Sequence, residues 1–197
     1  MKNKLIVLEG IDGVGKTSLA KALEKELISK KYPAIYYESL ENKKAGFNQL
    51  KPFIKDNVPV DSSLLFYLAS SIYKSQKIKK ILKTKSVICD RYLYSTLANH
   101  KTKGADISLV HWKKLPIVWP DFLFLIIAKE KIRLARAKKR KNATLNDLIK
   151  KERNSFAYIM EKELKKFKPI IIDNSGDLPQ TLGKILSHLS ISPHSDI

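Results

Sequence analysis

Short apolar runs alternate along the chain with longer segments in which apolar residues recur every three or four positions. The runs predict five β-strands: Lys4–Glu9, Ala34–Glu38, Ser86–Asp90, Phe122–Ala128 and Pro169–Asp173. Four of the five are nearly continuous apolar runs, as expected for strands that are buried on both faces. Because strands alternate with helices, the pattern predicts an α/β fold in which helices cover a parallel sheet in three layers.

The segments with helical periodicity predict six helices: Lys16–Lys31, Ser62–Lys83, Ile107–Leu115, Lys131–Lys141, Leu145–Lys166 and Leu178–Leu189. The run between Asn42 and Val60 predicts one short helix near Phe47–Ile54, and Pro59-Val60-Asp61-Ser62 offers an N-cap for the long helix that follows. We expect one domain over residues 1–197, with a frayed tail over 190–197.

Residues 10–17 read G-I-D-G-V-G-K-T and match G-x-x-x-x-G-K-[ST] at every fixed position, between the first strand and the first helix. That order is the one a phosphate-binding loop needs, because glycines let the backbone N–H groups point inward at the amino end of the helix. Lys16 can then reach the β- and γ-phosphates of ATP, and the Thr17 hydroxyl can ligate Mg²⁺. The alternative, an ordinary glycine turn followed by Lys-Thr, does not account for the flanking strand and helix.

We therefore expect the whole loop to contact the nucleotide. The predicted contacts are Gly10, Ile11, Asp12, Gly13, Val14, Gly15, Lys16, Thr17 and Ser18.

Asp90-Arg91 follows the third predicted strand, at the sheet edge where ligands bind in such folds. Asp90 is predicted to act with Thr17 in organising Mg²⁺. Arg91 is one of five arginines in this lysine-rich chain. Its planar guanidinium carries N–H groups that fork across two oxygens, which suits a position between the donor and acceptor phosphates. A structural Asp–Arg ion pair is the alternative interpretation.

A basic segment follows the fourth predicted strand, with eight positive charges and one acid between Lys129 and Lys141. Its arginines recur at helical spacing, so we predict a basic lid over residues 129–145 that closes on the phosphates. Arg136 and Arg140 are the favoured catalytic arginines. The alternative is a solvated basic helix.

Phe66 is a candidate for stacking on a nucleobase, whereas its apolar neighbours Tyr67 and Leu68 are expected in the core. The chain carries neither a metal-ligand spacing of histidines nor a Ser-His-Asp or Cys-His pattern. Chemistry based on positioning and electrostatics is therefore favoured over covalent catalysis.

Lys and Arg number 38 against 19 Asp and Glu, a net charge of +19. Anionic nucleotide ligands and solvated lysines explain part of this charge, and nucleic-acid binding is not expected because no such motif occurs. The single cysteine, Cys89, cannot form an intrachain disulfide. We expect a cytoplasmic protein without a membrane span, since no signal-peptide pattern and no apolar run of about 20 residues occurs.

Three segments together resemble the thymidylate kinase family. They are L-E-G-I-D-G-V-G-K-T-S at Leu8 to Ser18, D-R-Y-L-Y-S-T-L-A at Asp90 to Ala98, and W-P-D-F-L-F-L at Trp119 to Leu125. The resemblance implies a P-loop fold and ATP-dependent phosphorylation of a deoxynucleoside monophosphate, with thymidylate as the favoured acceptor. It also implies Mg²⁺ and a homodimer, which we expect to form through Leu64–Ile72 and Ile107–Leu115.

Carried over by position, the resemblance implies that Asp12 binds the acceptor near its sugar and phosphate, that Arg91 bridges the two phosphates and that Phe66 stacks on the base. Ser70 stands where the family has an arginine, and Asn99-His100 stand where it tends to have Tyr-Gln. We therefore assign Ser70, Asn99 and His100 to the acceptor site.

Two alternatives remain open at this point. One is a related kinase with a different nucleotide or nucleoside acceptor, and the other is a nucleotide-binding protein with little catalysis.

Overall fold

A computed structural model describes residues 2–37, 47–138 and 156–191. Its five strands are β1 (Leu5–Glu9), β2 (Ala34–Tyr37), β3 (Ser86–Asp90), β4 (Phe122–Ile127) and β5 (Ile170–Asp173). They form one sheet in the order β2-β3-β1-β4-β5, and every neighbouring pair is parallel. The predicted parallel sheet is confirmed, and wherever both ends of a strand are described they lie within one residue of the prediction.

Seven α-helices lie in the described residues. They are α1 (Lys16–Ser29), α2 (Phe47–Asn57), α3 (Val60–Ile81), α4 (Leu93–Thr102), α5 (Glu130–Lys138), α6 (Phe156–Lys165) and α7 (Leu178–His188). No helix in this part of the chain is long and apolar enough to cross a membrane.

The sheet separates two apolar clusters, because successive side chains of a strand point to opposite faces. Ile6 and Leu8 of β1 belong to the cluster that includes residues of α1 and α7, whereas Leu5 and Val7 belong to the cluster that includes residues of α3 and α4. Helices therefore cover both faces of the sheet, and the strands end together at one exposed edge, where the loops after β1, β3 and β5 carry polar side chains.

The predicted start of the long helix is wrong by two residues. Helix α3 begins at Val60, with Pro59 as its N-cap residue and Asp61 inside its first turn. Proline provides no side-chain acceptor, and Asp61 Oδ1 instead accepts a hydrogen bond from the Asp106 N–H at 3.1 Å. The carboxylate thus ties α3 to a distant loop instead of capping its own helix.

The predicted helix Ile107–Leu115 is also wrong. The segment forms two short 3₁₀ turns, Ile107–Leu109 and Trp112–Lys114, and Asp106 caps the first by accepting from the Ser108 N–H at 2.9 Å. The helix of this region is α4, which starts directly after Asp90-Arg91-Tyr92. Its sequence L-Y-S-T-L-A-N-H-K-T has low helix propensity, so burial of Leu93 and Leu97 between its neighbours stabilises it.

The expected frayed tail is only partly described. The Ile191 N–H donates to Leu186 O at 3.1 Å, and its side chain is buried. Residues 192–197 lie outside the described part.

Candidate active site

The glycine-rich loop connects the buried strand β1 to the first residue of α1. Gly10 and Gly15 have φ angles of 146° and 91°, in the region that favours glycine. A Cβ at Gly10 would lie 2.4 Å from the Ile126 carbonyl oxygen, and one at Gly15 would lie 2.6 Å from Asn174 Nδ2. The loop is therefore pressed against the ends of β4 and β5, and both positions require glycine.

Lys16 is the first residue of α1 and is buried in this loop. Its Nζ donates a hydrogen bond to the Ile11 carbonyl oxygen at 3.0 Å. Burial, together with the nearby Arg91 guanidinium, lowers the pKa of Lys16 to about 8, although three neighbouring carboxylates oppose the change. The ammonium is thus held beneath the loop, where a bound anion would stabilise its charge.

Thr17 and Asp90 meet across the sheet edge. The Thr17 hydroxyl donates to Asp90 Oδ2 at 2.6 Å, and the β1–β3 register sets Asp90 beside Leu8. A hydroxyl and one carboxylate are the hard oxygen donors that fit Mg²⁺, which usually keeps several waters and takes its other ligands from substrate phosphates. The donor set therefore fits the predicted metal. Ser18 follows in α1 and is exposed.

Arg91 lies over the loop from the end of β3. Its NH2 donates to Asp12 Oδ1 at 2.6 Å, and its NH1 donates to Ser95 Oγ at 3.1 Å. The Asp12 side chain is 71% exposed, so this ion pair faces the open side of the site. The guanidinium thus lies between the loop, which it contacts at Asp12, and α4, which it contacts at Ser95.

Glu9 is a residue of this site that sequence reasoning did not assign. The residue is 1% exposed. Oε1 accepts from the Tyr92 and Ser95 N–H groups, and Oε2 accepts from the Ser95 hydroxyl. Burial raises the pKa of Glu9, whereas these donors and Arg91 act in the opposite direction. The available signal was an acid at the end of an otherwise apolar strand.

Two side chains converge on the carbonyl oxygen of Val14 at the crest of the loop. Arg136 NH1 donates to it from α5 at 3.3 Å, and Asn174 Nδ2 donates to it at 2.7 Å from the loop after β5. Asn174 is buried, and its Oδ1 accepts no hydrogen bond from the residues that the structure describes. The structure thus brings Arg136 to the phosphate loop, whereas Arg140 and residues 139–145 of the predicted lid lie outside the described residues.

The residues predicted for the acceptor site lie on α3 and α4. Phe66 is half-buried, and its ring packs edge-on against Phe47 at 5.3 Å and Tyr67 at 5.4 Å between centroids. Ser70 is buried one turn further along α3, and Asn99 is half-buried on α4. Phe66 is therefore part of an aromatic cluster that also includes α2.

His100 lies inside the α3–α4 contact. Its Nδ1 is 2.8 Å from the Thr96 carbonyl oxygen, which can only accept, so Nδ1 carries the proton. Nε2 then accepts from the Ser63 hydroxyl at 3.1 Å. Burial lowers the pKa of His100, in keeping with this neutral form. Nδ1 is thus used within α4, and Nε2 links α4 to α3.

The chain is similar in sequence and in fold to proteins described as thymidylate kinases. The family model described as thymidylate kinase matches residues 8–181. A probable thymidylate kinase of Methanocaldococcus jannaschii is 29% identical over 195 residues, which cover 98% of each chain. A probable thymidylate kinase of Pyrococcus horikoshii is 32% identical over 158 residues, covering 76% of this chain and 77% of its own.

The fold likeness is independent of close sequence similarity. The structure of thymidylate kinase from Candida albicans superposes with a TM-score of 0.68 at 19% identity, covering 96% of this chain and 92% of the other. At that identity the likeness concerns the fold. The family model, however, spans the phosphate loop, Asp90-Arg91-Tyr92 and the basic helix, which are the segments that form the site. The chain therefore belongs to the thymidylate kinase family.

Proposed function

We propose that this protein transfers the γ-phosphoryl group of ATP to the 5′-phosphate of thymidylate, releasing ADP and thymidine diphosphate. The observation that carries the proposal is the position of Arg91, whose fork lies between the phosphate loop and α4 while it donates to Asp12 at 2.6 Å. A guanidinium in that place can contact oxygens of both phosphates at once. Family membership supports thymidylate as the acceptor over a different nucleotide or nucleoside.

The chain's own residues contribute positioning and charge. The loop N–H groups and the Lys16 ammonium hold the donor phosphates, and Arg91 aligns the acceptor phosphate with them. Asp12 contacts the acceptor near its sugar, and Arg136 adds positive charge from α5. Thr17 and Asp90 would hold Mg²⁺, which neutralises phosphate charge when it is bound.

On the acceptor side, Phe66 would stack on the base. Ser70 on α3 and Asn99 on α4 are proposed to line the same side of the acceptor pocket. They stand at the positions where the resemblance implies an arginine and a Tyr-Gln pair in the family. Because both nitrogens of His100 are engaged, its contribution would be to hold α4 against α3 beside this pocket.

The test is ADP release from Mg·ATP with each common nucleoside monophosphate, each deoxynucleoside monophosphate and thymidine as acceptor. We expect kcat/KM for thymidylate to exceed that of each other acceptor by at least about tenfold, the range that a few specific contacts supply. A higher kcat/KM for another acceptor would identify a related kinase. Turnover that stays at the no-acceptor control, with salt-sensitive binding to DNA or RNA, would favour a nucleotide-binding protein.

ATP binding is expected to weaken as the pH rises above about 8. In the free protein Lys16 has a pKa of about 8, so above that pH it must take up a proton before it can stabilise a phosphate. Calorimetric titrations at pH 7 and pH 9, each in two buffers of different ionisation enthalpy, would show proton uptake at the higher pH. A Lys16→Met variant should lose this uptake, and equal proton uptake in the variant would contradict the assignment.

The homodimer stays a prediction. Leu65 and Leu109, on the two segments expected to form it, are 57% and 67% exposed in the single chain, which supports a role in association.

A further inference from the structure

The peptide group that joins Arg91 to Tyr92 is held at both ends by opposite charges. Its carbonyl oxygen accepts a hydrogen bond from Lys74 Nζ at 2.7 Å and from the Cys89 thiol at 3.2 Å. Its N–H donates to Glu9 Oε1 at 2.9 Å. A cation at the oxygen and a carboxylate at the N–H match the direction of the peptide dipole, so together they fix the orientation of this group.

The orientation matters because Arg91 has a φ of 63°, in the left-handed region that side chains other than glycine rarely adopt. The Arg91 N–H donates to Leu8 O at 3.0 Å, which anchors the other side of the residue to β1. If the peptide turned over, its carbonyl oxygen would face the Glu9 carboxylate. The charged pair therefore maintains the backbone conformation from which the guanidinium reaches Asp12 and Ser95.

The Lys74 ammonium makes specific contacts with the protein rather than with solvent alone. The residue is half-buried on α3, and its Nζ lies 5.4 Å from the ring centroid of Tyr37 and 5.8 Å from that of Tyr92. Two aromatic rings, one carbonyl oxygen and the Cys89 side chain thus lie around the ammonium. Its place on α3, one turn beyond Ser70, brings a positive charge from the acceptor-side helix to the Asp90-Arg91-Tyr92 segment.

We propose that Lys74 is a positioning residue for phosphoryl transfer, which fixes the Arg91–Tyr92 peptide so that the Arg91 guanidinium is preorganised for the acceptor phosphate. The proposal rests on the proposed function. Lys74 acts through Arg91, and Glu9 completes the arrangement from the opposite side of the same peptide.

The experiment compares Lys74→Met with Lys77→Met, a matched control on α3 whose ammonium lies over the Tyr73 ring at 4.4 Å. Lys74→Met is expected to lower kcat for thymidylate by about 30- to 100-fold, the effect of a small misplacement of a reacting group. The KM for ATP should change less than about twofold, because the phosphate loop is untouched. Lys77→Met should behave as the unaltered protein, and equal activities of the two variants would overturn the proposal.

A double-mutant cycle separates positioning from a general structural effect. In an Arg91→Lys background, Lys74→Met should cost less than about threefold further, because its effect requires the guanidinium. A further loss as large as in the unaltered protein would mean that Lys74 acts independently of Arg91, against the proposal. Thermal unfolding of each variant establishes that the fold is kept.

Amide hydrogen exchange tests the arrangement without any substrate. Lys74→Met should raise the exchange rate of the Tyr92 amide by about tenfold or more, while the amides of β1 and α1 keep their rates. An unchanged Tyr92 rate would overturn the proposal even if the catalytic effect were found. Conversely, if the unaltered protein phosphorylated no acceptor, the proposed function would fail, and the exchange result would still decide whether Lys74 fixes this peptide.

Discussion

Replacing Arg91 by alanine is expected to lower kcat for thymidylate phosphorylation by roughly 10³-fold or more, the range that removal of a transition-state arginine produces. The physical reason is the loss of a fork that donates in two directions at once, to Asp12 at 2.6 Å and to Ser95 at 3.1 Å. In the proposed mechanism the donor and the acceptor phosphates would both lose the Arg91 guanidinium as a partner. The measurement is steady-state ADP release with saturating ATP and thymidylate.

Arg91→Lys is the matched variant, because it keeps the positive charge and the side-chain stem but not the planar fork. We expect it to recover only a small part of the lost rate. The alanine variant should remain folded, since arginine already adopts a φ of 63° here and alanine, which also has a Cβ, adds no further backbone strain. Near-normal turnover of the alanine variant would refute the role assigned to Arg91.

Replacing Lys16 by methionine is expected to reduce kcat by roughly 10²- to 10³-fold, as loss of a preorganised donor to a developing negative charge does. ATP affinity should fall as well, because in the proposed mechanism the Lys16 ammonium would contact the donor phosphates before and during transfer. Lys25→Met is the control, since Lys25 lies on an exposed face of the same helix. ADP release and calorimetric ATP binding measure the two effects.

The same substitution should not destabilise the unliganded protein. Burial lowers the pKa of Lys16 to about 8 from 10.5, which means that the charged form is disfavoured in the folded state at neutral pH. That cost is present below pH 8 and is relieved as the pH rises from about 8 toward the unfolded value. Methionine removes the charge, so Tm at pH 7 should stay level or rise. A marked fall in Tm would mean that Lys16 supports the fold rather than the ligand.

The strands and most helices could be predicted from the sequence because their signals are local. A run such as Leu5-Ile6-Val7-Leu8 is buried on both faces wherever it lies in a parallel sheet. The phosphate loop is equally local, since its glycines, lysine and threonine lie within eight consecutive residues. Strand, loop and helix are consecutive, so their order in the sequence is also their order in space.

Helix α4 could not be predicted in this way. Its residues have low intrinsic helix propensity, and Leu93 and Leu97 stabilise it only when α3 and the sheet are in place. Conversely, Ile107–Leu115 has apolar spacing typical of a helix, yet no residue of its two 3₁₀ turns is buried. The burial of apolar side chains, which the sequence pattern did not reveal, therefore explains why 93–102 forms an α-helix and 107–115 does not.

The site residues likewise divide into those with a local sequence signal and those whose contacts depend on the fold. Lys16, Thr17 and Asp90 were predicted as site residues from the sequence, and the Thr17 hydroxyl lies 2.6 Å from Asp90 Oδ2 across 73 residues of chain. Glu9 and Asn174 were not identified, because their partners lie 83 and 160 positions away. A buried acid at the end of a strand gives no sign in the sequence of which N–H groups it will meet.

By itself, the sequence determined the parallel sheet, the phosphate loop and the family, because each depends on residue types at short, fixed spacing. Only the tertiary structure decided which side chains support Arg91 and where His100 lies. Those outcomes depend on contacts between α3, α4 and the carboxyl ends of the strands. They also depend on which groups pair with buried polar and charged side chains such as Glu9. The residues of the phosphate loop are thus local in the chain, whereas the groups that hold Arg91 in place are assembled by the fold.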